Sequence, residues 1–124
     1  MRIVSSNQRP SRKANAEWFT GNVWVDEIVV NSEPSRLRCF RVSFEPGART
    51  AWHTHPLGQT LHVLSGFGFA QSAGQPIQEI HPGDTVSFEP NEHHWHGAAP
   101  ANTMAHLRFR KQTPKASMWS GWSR

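Results

Sequence analysis

The chain has few of the features that mark secreted, membrane or nucleic-acid-binding proteins. It has one cysteine, Cys39, in 124 residues, so no disulfide can form within it and a reducing compartment suits it. No apolar run is long enough for a signal peptide or a membrane span, which predicts a cytoplasmic protein with no membrane partner. Acidic residues are scarce, 9 against 13 Lys and Arg. The basic residues are scattered and no nucleic-acid-binding motif accompanies them, so we expect no nucleic-acid partner.

Helical periodicity is also missing, since no stretch repeats its apolar residues every 3.6 positions over three turns. Short apolar or alternating segments are instead separated by turns such as Glu45-Pro46-Gly47 and His81-Pro82-Gly83-Asp84. Short strands at regular spacing are typical of an all-β sandwich or barrel. We predict one domain of this class, with an N-terminal arm at residues 1–17, a barrel at 18–112 and a C-terminal tail at 113–124. The predicted strands cover residues 22–30, 36–44, 59–64, 67–72, 77–80, 85–88, 93–97 and 103–111, with a further histidine-bearing strand after residue 48.

Histidine is the residue that the chain has in excess, with eight in total and seven of them between positions 53 and 96. His53 and His55 are two residues apart, so on an extended strand both imidazoles point to the same face. Pro56-Leu57-Gly58 can then reverse the chain and bring Gln59 beside them. Two imidazoles and an amide oxygen on one face indicate part of a metal site. The histidine cluster at residues 93–96 can supply a further ligand.

The spacing of these residues resembles the motifs of the cupin superfamily. Gly47, His53-Thr54-His55, Gln59 and Gly66 match the first cupin motif at every spacing, with Gln in place of the usual Glu. The second motif begins at Gly83 and puts its histidine eleven positions later, although its loop proline is displaced by one residue. The resemblance implies a cupin double-stranded β-helix, a jelly-roll-like barrel, over roughly residues 20–111. It also implies a set of four metal ligands: His53, His55, Gln59 and His94.

This ligand set has a predictable chemistry. Three neutral imidazoles and one neutral oxygen suit a divalent first-row ion such as Mn²⁺, Fe²⁺, Co²⁺, Ni²⁺ or Zn²⁺. Because Gln59 replaces a carboxylate, the protein leaves the charge of the ion uncompensated, which makes a stronger Lewis acid. It also removes a carboxylate that could act as a base in oxygenase chemistry.

Three segments narrow the resemblance to the bacterial cupin hydroxynitrile lyases, which contain manganese held by three His and one Gln. These segments cover residues 18–21, 44–61 and 94–100. The resemblance implies Mn²⁺ and the reversible cleavage of a cyanohydrin to an aldehyde or ketone plus cyanide. In that reaction the metal lowers the pKa of the substrate hydroxyl and a neighbouring histidine exchanges the proton. The chain departs from these relatives after Trp119, where they tend to continue with an acidic segment.

Two histidines are candidates for the proton exchange. His106 is the first, provided that its face of the last strand points into the barrel, and the alternative is a surface histidine. His96 is the second, because it is two residues from His94 and shares its side of the strand. Its alternative role is a hydrogen bond that orients a ligand. The predicted substrate pocket consists of four residues: Phe40, Val42, Arg108 and Arg110.

Other functions stay open at this point. Arg108 and Arg110 share a face with His106 and suit a carboxylate, unless they lie on the solvated exterior. A cupin dioxygenase or isomerase that acts on a small aromatic or keto acid is therefore an alternative, as is a non-catalytic cupin that binds a small ligand. Trp52 alternates away from the ligands and faces outward, and aromatic residues are frequent in interfaces. Because small cupins commonly pair, we expect a homodimer or a higher homo-oligomer.

Overall fold

Two antiparallel sheets make up nearly all the regular structure of residues 1–111, the part of the chain that the computed structural model describes. The six-stranded sheet has the order β1-β3-β4-β11-β6-β9 and the five-stranded sheet the order β2-β5-β10-β7-β8. The strands are β1 Arg12–Lys13, β2 Phe19–Thr20, β3 Val23–Val30, β4 Leu37–Phe44, β5 Arg49–Thr50, β6 Gln59–Gly66, β7 Gly68–Ser72, β8 Gln78–Ile80, β9 Thr85–Phe88, β10 His94–Ala98 and β11 Met104–Lys111. The prediction of an all-β fold is confirmed. Among the described residues the one helical turn is Ser6–Gln8, and no helix there is long and apolar enough to cross a bilayer.

The alternation of side chains along β11 fixes what lies inside the barrel. Met104, His106 and Arg108 are almost fully buried, at 1%, 0% and 5% exposure. In the register with β4, His106 lies opposite Val42 and Arg108 lies opposite Phe40. The face of β11 that carries His106 therefore points inward, as the first catalytic assignment required.

The interior is apolar at one end, where the first residues of β11 meet β4 and the turn between β6 and β7. Phe44 and Met104 are each 1% exposed and lie opposite each other in the register. Glycine lets the backbone approach closely here, because a Cβ at Gly66 would lie 1.8 Å from the carbonyl oxygen of Thr103. We call this region the apolar end and define it by six residues: Val23, Phe44, Gly66, Gly68, Ala98 and Met104.

Two segments differ from their predicted structure. Residues 1–17 were expected to be an arm without packed structure, yet Arg12 and Lys13 pair with Val25 and Trp24 of β3. The histidine-bearing strand was expected to be continuous, and this prediction is wrong. It stops at Thr50, and the chain resumes β pairing at a single bridge between His53 and His94. The turn at Pro56 and the Gly58 backbone, at φ 77°, bend the chain immediately after this bridge.

Candidate metal centre

His53 and His94 are held side by side by the backbone. The amide of each donates to the carbonyl oxygen of the other, at 2.9 Å from His53 and 3.0 Å from His94. Their rings are 4.3 Å apart between centroids, and Phe88 stacks on the His94 ring at 3.5 Å. Two segments that are distant in the sequence thus bring two imidazoles to one place inside the barrel.

Backbone carbonyls set the tautomer of both rings. Nδ1 of His53 lies 2.7 Å from the carbonyl oxygen of Ala51, and Nδ1 of His94 lies 2.8 Å from that of Glu92. A carbonyl oxygen only accepts hydrogen bonds, so each Nδ1 carries the proton and each neutral ring offers the lone pair of Nε2. Burial lowers the pKa of His53 to about 3 and lowers the pKa of His94, which keeps both rings neutral.

Gln59 adds an oxygen to this pair of nitrogens. It begins β6 directly after Gly58, and its side chain is 3% exposed. Its Oε1 lies 3.1 Å from Nε2 of His94. Since Nδ1 of His94 holds the proton, this contact joins two atoms that each offer a lone pair, and a cation between them would make such an arrangement favourable. Two ligand atoms about 2.1 Å from a divalent ion, at a right angle to each other, are about 3 Å apart. The contact therefore fits a shared metal ion.

His55 and His96 both lie next to His53 and His94. The His55 ring is 4.7 Å from that of His53 and 5.6 Å from that of His94. The corresponding distances of the His96 ring are 5.7 and 6.0 Å. Ring nitrogens of His53, His94 and His96 nevertheless lie within 4.8 Å of one another, so these three histidines could hold a metal ion. The sequence analysis assigned His96 to proton exchange or to orienting a ligand. In the structure a ring nitrogen of His96 lies close enough to those of His53 and His94 to share a metal ion with them.

His96 and His106 form a buried pair beside this cluster. Nε2 of His106 lies 3.3 Å from Nδ1 of His96, and the two residues are 0% and 1% exposed. Among the described residues, Nε2 of His96 has no hydrogen-bond partner. Burial is the main cause that lowers the pKa of both groups, to about 3 for His106. The pair is therefore neutral, and each ring has one nitrogen without a hydrogen-bond partner among the described residues, since Nδ1 of His106 also has none.

A cavity of about 360 Å³ lies under the N-terminal arm and is lined by three of the four predicted pocket residues, Phe40, Val42 and Arg108. The fourth, Arg110, lies on the same face of β11 and is partly buried, but it is not among the described residues that line the cavity. The sequence analysis did not predict that Arg38 and the N-terminal arm line this cavity. Arg38 alternates in step with Phe40 and Val42 and so lies on the same inward face of β4, which could have revealed it. Nothing in the sequence of the arm indicates that it covers a cavity.

The fold and these ligands define the class of protein. The cupin domain family matches residues 40–107, which are more than half of the chain. The chain therefore belongs to the cupin family.

Relatives narrow the class further. Over 120 residues the chain is 50% identical to an (R)-mandelonitrile lyase from Granulicella tundricola, covering 96% of this chain and 92% of that protein. A cupin-like protein from Thermotoga maritima is 42% identical, with a TM-score of 0.80 over 85% of this chain and 80% of the other. A predicted oxalate decarboxylase from the same organism shares the fold, with a TM-score of 0.75 at 18% identity over 87% and 96% of the two chains. The enzyme among them that shares half of its residues with this chain is a named lyase.

Proposed function

We propose that this protein is a metal-dependent hydroxynitrile lyase, which reversibly cleaves a cyanohydrin to an aldehyde or ketone and cyanide. The observation that carries the proposal is the 3.1 Å approach of two lone-pair atoms, Oε1 of Gln59 and Nε2 of His94, inside a cupin barrel. A Gln in place of the usual carboxylate favours binding of a neutral alcohol over oxygenase chemistry. The 50% identity to a mandelonitrile lyase supports the same reaction.

The ligand set that we propose is His53, His55, Gln59 and His94. The His55 ring is closer to both His53 and His94 than the His96 ring is. The resemblance of the chain to manganese-containing relatives makes Mn²⁺ the proposed ion, with Fe²⁺, Co²⁺, Ni²⁺ or Zn²⁺ as alternatives. When bound, such an ion makes a coordinated hydroxyl more acidic.

The histidine pair then handles the proton. Nε2 of His96 accepts the hydroxyl proton of the cyanohydrin, while Nδ1–H of His96 donates to Nε2 of His106, 3.3 Å away. As the carbonyl double bond forms, the bond to the nitrile carbon breaks and its electrons leave with cyanide. The imidazolium of His96 returns its proton to cyanide, giving hydrogen cyanide. Because the site is buried, this charged imidazolium is unstable and readily gives up the proton. Nδ1 of His106 is also without a partner among the described residues, but ring nitrogens of His96, His53 and His94 lie within 4.8 Å of one another, which favours His96 as the ring that meets the substrate and His106 as its partner.

Assays with racemic mandelonitrile test this proposal and separate it from its alternatives. The manganese-loaded protein is expected to release benzaldehyde and cyanide in equal amounts, with and without oxygen. Product that needs oxygen and comes without cyanide would indicate a cupin dioxygenase instead. Isomerisation of a small aromatic or keto acid without cyanide release would indicate an isomerase. Saturable binding without turnover under any of the five metals would indicate a non-catalytic binding protein.

Three expectations from the sequence stay predictions: the homo-oligomer, the cytoplasmic location and the domain boundaries. Trp52 is 41% exposed, as an outward-facing residue should be, and its ring lies 5.5 Å from that of His93 and 6.5 Å from that of the buried Trp95. The predicted tail at residues 113–124 lies outside the described residues.

A further inference from the structure

Three arginines share the inward face at the end of the barrel interior opposite the apolar end. Arg38 of β4 and Arg110 of β11 lie directly opposite each other in the register. Arg108, the preceding inward residue of β11, is 5% exposed. Like charges directly opposite each other on one face of a sheet are destabilising, and burial increases the penalty. The chain therefore places positive charge at this end at a cost to its stability.

The cavity under the arm is lined by more basic than acidic side chains. Its lining holds five basic side chains and one carboxylate, Glu27, which lies 3.6 Å from Arg12. The other four basic residues around the cavity are Arg9, Lys13, Arg38 and Arg108.

Arginine and aromatic surfaces meet in the same cavity. The guanidinium carbon of Arg108 is 4.8 Å from the centre of the Phe40 ring, and that of Arg38 is 5.9 Å from it. Nε of Arg38 is buried and has no hydrogen-bond partner among the described residues. Trp18 and Phe19 line the same cavity, so an apolar ring has surfaces to pack on next to the two cations.

Burial and the repulsion of Arg110 and Arg38 lower the pKa of Arg108 to about 9. An anion bound beside Arg108 would relieve both effects, since it would replace lost hydration and oppose the positive neighbours. A planar carboxylate matches the guanidinium geometry, because two parallel N–H groups can donate to its two oxygens.

We propose that the cavity under the N-terminal arm binds a small aromatic carboxylate, with its carboxylate at Arg38 and Arg108 and its ring against Phe40 and Trp18. The cavity volume of about 360 Å³ is sufficient for a molecule with a single ring. The cavity reaches Val42, which lies opposite His106, so a ligand held there lies next to the histidine pair. The binding itself rests on the cavity and not on the lyase reaction. Only the consequence that acids are among the substrates rests on the proposed function.

Calorimetric titration of the manganese-loaded protein with benzoate, and with its neutral analogue benzamide, tests the proposal. We expect benzoate to bind at least about tenfold more tightly than benzamide, because a charge-assisted bidentate pair replaces neutral hydrogen bonds. Arg38→Gln and Arg108→Gln should each weaken benzoate binding by about tenfold or more and weaken benzamide binding by clearly less. Arg38 is partly exposed, so its variant stays informative if the buried Arg108→Gln fails to fold. Lys111→Gln is the matched control, because it removes a charge from the exposed face of the same strand.

A metal-free sample separates the two sources of anion binding. His53→Ala removes a proposed metal ligand and leaves the arginines in place, so benzoate should still bind to it with a similar dissociation constant. Loss of binding in His53→Ala, together with full binding in Arg38→Gln, would assign the anion to the metal and overturn the proposal. Equal affinities for benzoate and benzamide would also overturn it. Neither result depends on whether mandelonitrile is cleaved.

Discussion

The two ends of the barrel interior differ in what they bury. At the apolar end, Phe44 and Met104 are almost fully buried, and Met104 packs against Gly66 and Gly68, where a side chain would collide with the backbone. The other end, which we call the polar end, contains histidines, an amide and arginines, of which Arg38 and Arg110 are only partly buried: His53, His55, Gln59, His94, His96, His106, Arg38, Arg108 and Arg110. Along β11 the change takes only three inward positions, from Met104 to His106 to Arg108.

This difference separates stability from function. Burial of apolar groups contributes about 25 cal/mol per Å² of apolar surface removed from water, so the apolar end stabilises the fold. Buried polar groups oppose folding unless they are paired, so bound ligands would offset the unfavourable burial of polar groups at the polar end. The polar end also contains two chemistries, because neutral imidazoles can bind a cation and arginines bind an anion. Substitutions at the two ends should therefore fail in different ways.

The largest effect is expected at the polar end, for His53→Ala. Loss of this imidazole should lower metal affinity by more than about 100-fold, since loss of an outer hydrogen-bond partner alone lowers it by about 10- to 100-fold. Elemental analysis of purified protein should fall from about one ion per chain to a trace, and lyase activity should fall with it. His62→Ala is the control, because His62 lies on the outer face of β6 and contacts Thr85 at 3.0 Å. Equal metal content in the two variants would remove His53 from the ligand set.

A smaller effect should separate the two histidines of the pair. His96→Gln should lower kcat by about 100-fold while the metal stays bound, because general acid–base catalysis contributes at least that much. His106→Gln should lower kcat by only about 10-fold, since an amide oxygen can still accept the hydrogen bond from His96. Steady-state kinetics combined with elemental analysis measures both. A larger loss in His106→Gln would make His106 the ring that meets the substrate, and metal loss in His96→Gln would make His96 a ligand.

At the apolar end, the effect should appear in stability alone. Gly66→Ala should destabilise the fold by about 3 kcal/mol, because a Cβ there meets the Thr103 carbonyl and the backbone has φ 83°. Gly74→Ala is the matched control, since Gly74 has φ 78° and its Cβ would have nothing within 4 Å. The control should lose only about 1–2 kcal/mol, from the backbone conformation. Denaturant unfolding measures both, and equal losses would show that the close contact contributes nothing.

The smallest effect concerns the attachment of the arm that covers the polar end. Burial acts to raise the pKa of Asp26, but hydrogen bonds from Ser11 of the arm and from Arg41 outweigh it, and the net pKa is lowered. A carboxyl group with a lowered folded-state pKa stabilises the fold above its unfolded-state pKa and loses this effect as the pH falls through its folded-state pKa. The pair should contribute less than about 1 kcal/mol at neutral pH, because Arg41 is 45% exposed.

Unfolding of the native protein and of Asp26→Asn across the acid range tests this. The native protein should be the more stable at neutral pH, and the difference should shrink as the pH falls. A difference that stays constant with pH would show that the charge of Asp26 does not hold the arm.

The fold could be predicted largely from local patterns. The turns that contain Gly and Pro limited most predicted strands to within one or two residues of the observed ends. The extent of the histidine-bearing strand was predicted wrongly, because β pairing in this segment depends on a tertiary bridge to His94, which local sequence does not encode. The pairing of the arm with β3 was not predicted, because its strand has only two residues and two residues are too few to show a period.

The site was predicted less completely. Spacing alone grouped His53, His55 and Gln59, and the structure brings them near His94 inside the barrel. The contact between His96 and His106 depends on how two sheets face each other, and no spacing within one strand reports it. The cation excess under the arm likewise comes from residues that are far apart in the sequence.

The central claim is that Gln59 and His94 approach each other because they share a metal ion. Anomalous diffraction from crystals of the manganese-loaded protein, collected at the manganese absorption edge, tests it directly. The account predicts one strong peak within bonding distance of Nε2 of His94, Oε1 of Gln59 and the imidazoles of His53 and His55. A peak bonded to His53, His94 and His96 without Gln59, or no peak inside the barrel, would contradict it.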